Sequence, residues 1–225
     1  MADIPAVATM SYSDRQITAW LRGLLTIAWA DGDFDPEEQQ LISQLTKDAL
    51  VPQEEIGELK VISSEELTKE LGDEEVTREN FLRTAVMMAI ADGVYSVVEA
   101  EQIKEFGKAL GVNMSALHSL EQTLYDPEIC TKEEPQEDVH LDALKPVRSW
   151  LDEMDVDDPR VARFVCKMIP PQCPFERDIK LFGKKIVHIP PMCKLNPLYE
   201  QLVGLRFRSL SYLADDCGED ISDFI

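Results

Sequence analysis

Residues 28–38 read AWADGDFDPEE, and residues 89–99 read AIADGVYSVVE. The two stretches belong to a repeat with a constant offset of 61 residues, which extends to Ile42 and Ile103. Two copies indicate an internal duplication and not a solenoid, which needs at least three repeats. Each copy follows an apolar run at helical spacing and contains a glycine where a helix can end in the left-handed conformation. Each copy therefore predicts a helix, a tight turn and a second helix.

The acidic residues of the two turns allow two interpretations. Asp35 with Glu38, and Ser96 with Glu99, have the spacing of a capping box, in which two side chains satisfy backbone donors reciprocally. Alternatively, four carboxylates meet across a pseudo-twofold axis and hold a divalent cation with oxygen ligands. These carboxylates are Asp31, Glu38, Asp92 and Glu99. We favour caps, because two valines of the second copy stand where the first copy has acids.

The doubled A-x-A-D-G-x-[aromatic]-x-x-x-E pattern resembles the TerB-like family, named for tellurite-resistance proteins. The resemblance covers roughly residues 12–125. It implies a small bundle built from a duplicated helical pair, with metal binding suspected at the acidic turns. Further helices are expected at 53–60, 64–71 and 114–125, the last capped by Asn113. We therefore predict a TerB-like helical bundle at residues 10–127.

The chain changes character after this bundle. Residues 128–141 combine clustered acids with a proline and predict an acidic linker. Apolar stripes at helical spacing then start at Leu144 and Val161, with Asp158 as the cap of the second helix. A final helix is expected to start at a cap on Asn196 and to stop near Cys217. Residues 142–222 are therefore predicted to form a second helical domain, and the fold class is mainly α.

One segment of the second domain has strand periodicity. Residues 178–189 read DIKLFGKKIVHI, in which Ile179 and Leu181 alternate with polar residues. Gly183 and the lysine after it offer a turn, and the alternation continues beyond them. We therefore expect a small β-hairpin within the second helical domain.

Residues 170–220 resemble a second family. They read PPQCPFERDIKLFGKKIVHIPPMCKLNPLYEQLVGLRFRSLSYLADDCGED. The paired prolines, the cysteines and the LRFRSL core resemble the Mo-dependent nitrogenase C-terminal domain family over about residues 144–222. That family is known mainly from oxygenic photosynthetic bacteria, and its name reflects an early association. The sequence contains no nitrogenase cofactor-binding pattern that we can identify.

Charge is distributed unevenly along the chain, whose formal net charge is -21. Residues 1–140 hold 10 Lys and Arg against 29 Asp and Glu, whereas residues 160–208 hold 10 against 3. The acidic half argues against nucleic-acid binding, because phosphates would be repelled. The basic stretch can contact an acidic protein partner or an anionic membrane surface, or it can dock on the acidic half of its own chain. Its cations are Arg177, Lys180, Lys184, Lys185 and Lys194.

Three cysteines and one histidine lie within 28 residues: Cys166, Cys173, His188 and Cys193. Three thiolates and an imidazole can hold zinc, and thiolates can hold an iron–sulfur cluster. The usual C-x2-C knuckle is absent, so we favour metal-free structural cysteines, with a redox pair as a third alternative. The odd count of five cysteines suits a reduced compartment. The lack of a signal peptide and of a long apolar span favours a cytoplasmic address.

No catalytic set of residues is evident. The three histidines are scattered, and neither a G-x-S-x-G motif nor a phosphate-cradling glycine loop occurs. We therefore predict a non-enzymatic interaction protein with a protein partner, acting as a regulator or assembly factor in a photosynthetic bacterium. The alternative is a metal- or Fe–S-binding sensor that uses the C-terminal cysteines. Peripheral membrane contact through the basic stretch stays open.

Overall fold

The computed structural model describes residues 12–30, 60–90, 95–123, 144–169, 177–181, 184–189 and 198–225. For residues 121–123, 177–181 and 184–189 the description is confined to the backbone. The described part of the chain is mainly helical, as predicted. Its α-helices are α1 (Asp14–Ala28), α2 (Ser64–Leu71), α3 (Glu75–Ala89), α4 (Val97–Leu110), α5 (Lys145–Asp152), α6 (Pro159–Met168) and α7 (Tyr199–Ser211).

Helix α1 begins with a capping box and buries one face. The Ser13 hydroxyl accepts a hydrogen bond from the Gln16 backbone nitrogen at 3.3 Å. The Gln16 side chain accepts one from the Ser13 backbone nitrogen at 2.8 Å. Such reciprocal bonds satisfy donors that the first helical turn leaves unpaired. The apolar stripe expected from spacing is buried, and consists of Ile17, Trp20, Leu21, Leu24, Leu25 and Ile27.

A row of aromatic rings joins α1, α3 and α4 in the core. The ring centroids of Tyr12 and Trp20 are 5.1 Å apart, and those of Trp20 and Phe81 are 5.7 Å apart. Phe81 continues the row to Phe106 at 6.0 Å. These inclined contacts are the geometry that aromatic quadrupoles prefer. Gly23 permits the close packing of α1 on α3, because a Cβ atom there would lie 2.7 Å from the Phe81 ring.

The segment after α4 is a 3₁₀ helix, Ser115–Thr123, and not the α-helix expected over 114–125. Gly111 ends α4 in the left-handed conformation with a φ of 70°. The Asn113 side chain accepts a hydrogen bond from the Ser115 backbone nitrogen at 3.0 Å, so Asn113 begins the segment as expected. Leu117 and Leu120 are both buried. Residues three apart share one face at three residues per turn, which is the 3₁₀ repeat.

The other helices expected in the first half have different outcomes. The helix expected at 64–71 is α2, with Ser63 as its N-cap, and the prediction is confirmed. The helix expected at 53–60 falls almost wholly outside the described residues.

In the second half, the stripes predicted for α5 and α6 are confirmed. Leu144, Val147, Trp150, Leu151 and Met154 are all buried. In α6, Val161 and Val165 are buried, while Phe164 and Met168 pack against the core from its edge. The side chain of the N-cap Asp158 accepts a hydrogen bond from the Arg160 backbone nitrogen at 2.8 Å.

Two strands follow α6 and pair antiparallel, β1 (Arg177–Leu181) with β2 (Lys184–Ile189). Helix α7 then begins at Tyr199 with Leu198 as N-cap, so the cap predicted at Asn196 is wrong. Leu198 is buried, and its side chain makes no capping hydrogen bond. A π-helical turn, Tyr212–Asp216, extends α7 to Cys217, near the predicted end.

One hydrophobic core contains residues from both predicted domains. Buried side chains of α1, α3 and α4 belong to the same cluster as those of α5, α6 and α7. The domain bounds 10–127 and 142–222 stay predictions, and the linker predicted at 128–141 lies outside the described residues. Among the helices that the structure describes, none has the length and apolar content needed to cross a membrane.

Candidate functional site

Of the four carboxylates predicted to hold a cation, the structure describes Glu99 alone. Asp31, Glu38 and Asp92 lie outside the described residues, whereas Glu99 is the third residue of α4. Its carboxylate accepts hydrogen bonds from the Ser96 backbone nitrogen at 3.1 Å and from the Ser96 hydroxyl at 2.7 Å. The Ser96 hydroxyl accepts one from the Glu99 backbone nitrogen at 3.2 Å. The capping box predicted for the second copy is therefore confirmed, and the four-carboxylate cation site stays a prediction.

Of the four predicted sulfur and imidazole ligands, the structure describes the side chain of Cys166 alone. Cys166 lies on α6 and is buried beside Ala162, Tyr212 and Leu213. Burial raises the pKa of its thiol to about 11, and the nearby Arg206 lowers it by less. In these surroundings the thiol stays protonated at neutral pH and packs as a small apolar group.

The rest of that ligand set is outside the description. Cys173 and Cys193 lie beyond the described residues, and His188 is described by its place on the β2 backbone. Within the described ranges, no three His, Cys, Asp or Glu side chains are grouped so that they could hold a metal ion. The zinc or Fe–S site and the sensor function therefore stay predictions.

The two strands carry four of the five predicted contact cations. Arg177 and Lys180 lie on β1, and Lys184 and Lys185 lie on β2. The register makes Lys180 and Lys185 partners across the pair. Lys194 lies outside the described residues. The backbone thus brings four cations that are separated in sequence to one small sheet, and their contact with a partner stays a prediction.

Sequence reasoning missed a polar junction between the start of α1 and the start of α6. Asp158 is fully buried, and its Oδ2 accepts hydrogen bonds from the Tyr12 backbone nitrogen at 3.0 Å and from Arg160 Nη2 at 2.9 Å. Arg160 also pairs with Asp14 at 2.6 Å and donates to the Tyr12 carbonyl. The bond to Asp158 is the main cause that raises the pKa of the Arg160 guanidinium. A hydrogen bond from the Tyr12 backbone to the buried Asp158 carboxylate and the Arg160–Asp14 ion pair therefore join segments 146 residues apart.

A second junction is centred on Arg83 of α3. Arg83 is buried and donates to the Trp150 carbonyl at 2.8 Å and to the Asn80 side chain at 3.1 Å. Its guanidinium lies 5.3 Å from the centre of the Trp150 ring, within cation–π range. Glu79 and Glu153 pair with it at 2.9 and 3.3 Å. Helix α3 is thereby held to the end of α5.

Asp157 and two tyrosines adjoin the first junction. Burial raises the pKa of the Asp157 carboxyl, and a hydrogen bond with the Tyr12 side chain opposes that change. Burial likewise raises the pKa of both phenols, Tyr12 and Tyr212, above their usual range. The Tyr212 hydroxyl donates to the Asp157 carbonyl at 2.8 Å. Burial therefore favours the neutral form of each of these three groups.

Helix α7 exposes apolar side chains on its outer face. Phe207 is 69% exposed and Val203, one turn earlier, is 43% exposed. Gly204 is exposed beside them, and a Cβ atom there would meet no atom of the described residues within 4 Å. The face opposite is buried through Leu202, Leu205 and Ser209. We call the outer residues Glu200, Val203, Gly204, Phe207 and Ser211 the α7 seam.

The described residues thus define a mainly helical protein whose two halves share a core and whose last long helix exposes an apolar seam. The family described as Mo-dependent nitrogenase C-terminus matches residues 143–225. The resemblance predicted for the second half is therefore confirmed, and the matched part contains both Asp158 and the α7 seam. Neither a search of curated proteins nor a search of solved structures finds a match. The TerB-like resemblance of the first half stays a prediction.

Proposed function

We propose that this protein is a non-enzymatic interaction protein that acts as a regulator or assembly factor in a photosynthetic bacterium. The description of the matched family, Mo-dependent nitrogenase C-terminus, supports an association with nitrogenase and covers residues 143–225. The first half is proposed to be the TerB-like bundle that carries this segment. The observation that carries the proposal is the exposed seam of α7.

Exposed apolar side chains are common when they are isolated. Phe207 and Val203 differ from that case because they are neighbours on one helix face and lie beside an exposed glycine. Aromatic residues are enriched at protein interfaces, where they supply much of the binding energy. Val203 and Phe207 therefore give the seam an apolar centre of the kind that protein contacts use.

The two junctions support a scaffold role. Arg83 and Asp158 hold the first half against the matched segment, because Arg83 donates to the Trp150 carbonyl and Asp158 accepts from the Tyr12 backbone nitrogen, both in buried hydrogen bonds. Buried hydrogen-bond networks of this kind stiffen the parts that they join. A partner that binds the α7 seam would therefore meet a surface in a defined orientation.

The basic stretch is proposed as a second contact. We retain the hairpin interpretation of β1 and β2, and we assign its cations to an acidic protein partner. Arg177, Lys180, Lys184 and Lys185 lie on these two strands. Their attraction to a partner would be long-range and would weaken with added salt.

Co-purification tests the proposed function. Tagged wild type is isolated gently from native cells beside Phe207→Ser, with Val76→Ser as the control, because Val76 is 50% exposed on α3. We expect nitrogenase components or their assembly proteins to accompany the wild type and the control, and to be depleted with Phe207→Ser. Recovery of equal partner sets with all three proteins would exclude the seam as the contact. A second pair of variants, Lys184→Glu and Lys185→Glu, tests the basic contact in the same way.

A further inference from the structure

Residues 219–225 follow the π-helical turn of α7 and lie against α6 and α7. The Glu219 backbone nitrogen donates to the Leu213 carbonyl at 2.9 Å, and this bond closes the end of the helix. A short 3₁₀ turn, Ser222–Phe224, is the regular structure that follows. None of residues 214–225 is fully buried. We call residues 219–225 the strap.

Arginines from two different helices hold the strap. Glu219 accepts two hydrogen bonds from Arg163 of α6, one from Nε at 2.9 Å and one from Nη2. Two parallel bonds of this kind are the strongest arrangement of guanidinium and carboxylate. The Phe224 carbonyl accepts a hydrogen bond from Arg206 Nη2 of α7, and Arg206 Nε donates to the Ile169 carbonyl at 2.9 Å. The strap therefore runs along α6 from Arg163 toward Ile169.

Apolar side chains of the strap cover a buried cluster between the two helices. This cluster consists of Ala162, Cys166, Tyr212 and Leu213. Ile221 and Phe224 are partly buried and pack against it. Cys166 is 3% exposed, and its position on α6 lies between the two positions at which arginines hold the strap. The strap therefore closes an apolar groove between α6 and α7.

The strap and α6 have opposite charges. The strap contains three acids and no cation, and the acids are Glu219, Asp220 and Asp223. Helix α6 contains three cations and no acid, and the cations are Arg160, Arg163 and Lys167. The groove beneath the strap thus combines an apolar floor with a cationic rim. Such a groove is complementary to an acidic segment that carries apolar anchors.

The strap has the properties of a segment that opens while the rest of the protein stays folded. Segments with few fully buried side chains open locally at a small part of the free energy of global unfolding. Every side chain of the strap is partly or fully exposed. The side chains of the Arg163–Glu219 pair are 29% and 28% exposed, so water and salt screen their attraction.

We propose that the strap is an autoinhibitory segment, which closes in cis a groove that binds an acidic, apolar segment of a partner protein. The bound strap defines the chemistry of that partner. It places a carboxylate on Arg163 and, five residues later, an aromatic ring against the apolar cluster. The groove is separate from the α7 seam and adds a second, regulated contact to the proposed function.

Alkylation of Cys166 at neutral pH measures closure of the groove, and peptide mass spectrometry locates the label. The closed strap should keep labelling slow in the wild type. The strap variant Glu219→Gln/Phe224→Ala removes the charge of the ion pair and the ring, so labelling should become at least about tenfold faster. The matched control Glu66→Gln/Phe207→Ala makes the same two changes at an ion pair on α2 and at an exposed ring. The control should label as slowly as the wild type.

The urea dependence of labelling separates local opening from unfolding. Local opening exposes little surface, so the labelling rate of the strap variant should change little with urea below the unfolding transition. Labelling through global unfolding would instead rise steeply with urea over the same range. A steep dependence in the strap variant would refute local opening of the strap.

An added peptide tests the chemistry of the partner. The peptide GEDISDFI repeats residues 218–225, and the control peptide GQDISDAI carries the two substitutions of the strap variant. At about 1 mM, near the effective concentration of a tethered segment, GEDISDFI should slow labelling of Cys166 in the strap variant at least about twofold. The control peptide should have no effect, and added salt should weaken the protection by GEDISDFI.

Two other outcomes would overturn the inference. Equal labelling rates in the wild type, the strap variant and the control would show that the strap does not cover the groove. Protection by both peptides, or by neither, would refute an acidic, apolar partner. Either outcome leaves the proposed function standing, because co-purification through Phe207 tests the α7 seam and not the groove.

Discussion

The substitution Asp158→Asn should lower the free energy of unfolding by about 3–5 kcal/mol. Asparagine keeps one side-chain oxygen. This oxygen can still accept the hydrogen bond from the Arg160 backbone nitrogen, which is 2.8 Å long in the wild type. The amide nitrogen replaces the oxygen that accepts from the Tyr12 nitrogen at 3.0 Å and from Arg160 Nη2 at 2.9 Å. Leaving the buried Tyr12 nitrogen unpaired costs about 1–3 kcal/mol, and the charge-assisted bond to arginine contributes about 1.5–3 kcal/mol. Together these losses amount to about 2.5–6 kcal/mol, and the narrower range of about 3–5 kcal/mol is that usually found when one partner of a buried ion pair is removed.

Urea denaturation followed by tryptophan fluorescence measures this loss. The matched control is Asp155→Asn, the same change at an exposed carboxylate three residues earlier. We expect the control to stay within about 0.5 kcal/mol of the wild type, as surface substitutions usually do. A loss below about 1 kcal/mol for Asp158→Asn, or a loss equal to that of the control, would refute the argument that the buried Asp158 carboxylate holds the two halves together.

Three further predictions concern single side chains. Burial raises the pKa of the Asp157 carboxyl above 3.8, so the protonated carboxyl contributes fully to stability below that value and its contribution is lost as pH rises through the raised pKa. The stability of Asp157→Asn should therefore increase relative to that of the wild type as pH rises from acid to neutral. Parallel curves of unfolding free energy against pH for the two proteins would contradict this. Glu99→Gln should change the melting temperature little, because glutamine also completes a capping box. Calcium, magnesium, manganese and chelator should leave the melting temperature of the wild type unchanged. If chelator instead lowers the melting temperature of the wild type but not that of Glu38→Gln/Glu99→Gln, the cation site is favoured. The Cys166 thiol, with its pKa at about 11, should resist alkylation at neutral pH until the protein unfolds. Peptide mass spectrometry locates the labelled cysteine. Rapid labelling of Cys166 in the folded protein would contradict the prediction, because it would show that the thiol is accessible and ionised.

Local features could be read from the sequence because their causes lie within a few residues. The Ser96–Glu99 capping box spans four residues, and its bonds form as soon as α4 starts. The cap at Asp158 has the same local origin. The buried stripes of α1 and α5 followed from helical spacing, since 3.6 residues per turn place them on one face. The type of the segment after α4 could not be read in this way, because Leu117 and Leu120 are compatible with either helix.

The candidate sites were predictable to different degrees. The sequence identified the segment that matches the Mo-dependent nitrogenase C-terminus family and the cations on its two strands. It did not identify the α7 seam. Helix α7 contains many apolar residues besides Phe207, and their spacing does not show which of them the core covers. Exposure of Phe207 and open space at Gly204 depend on which neighbours pack against α7.

By itself, the sequence determined the apolar faces of α1, α5 and α6 and the caps at Ser96 and Asp158, since these depend on neighbours within one or two turns. The tertiary structure alone decided that Asp158, the cap of α6, also accepts a hydrogen bond from the Tyr12 backbone nitrogen, 146 residues away. It alone placed Arg83 over Trp150 at 5.3 Å. A charged side chain gives no periodic signal of burial, because burial becomes favourable through partners that the fold supplies from distant segments. For that reason, helices within each half could be predicted from the sequence, whereas the contacts that join the two halves could not.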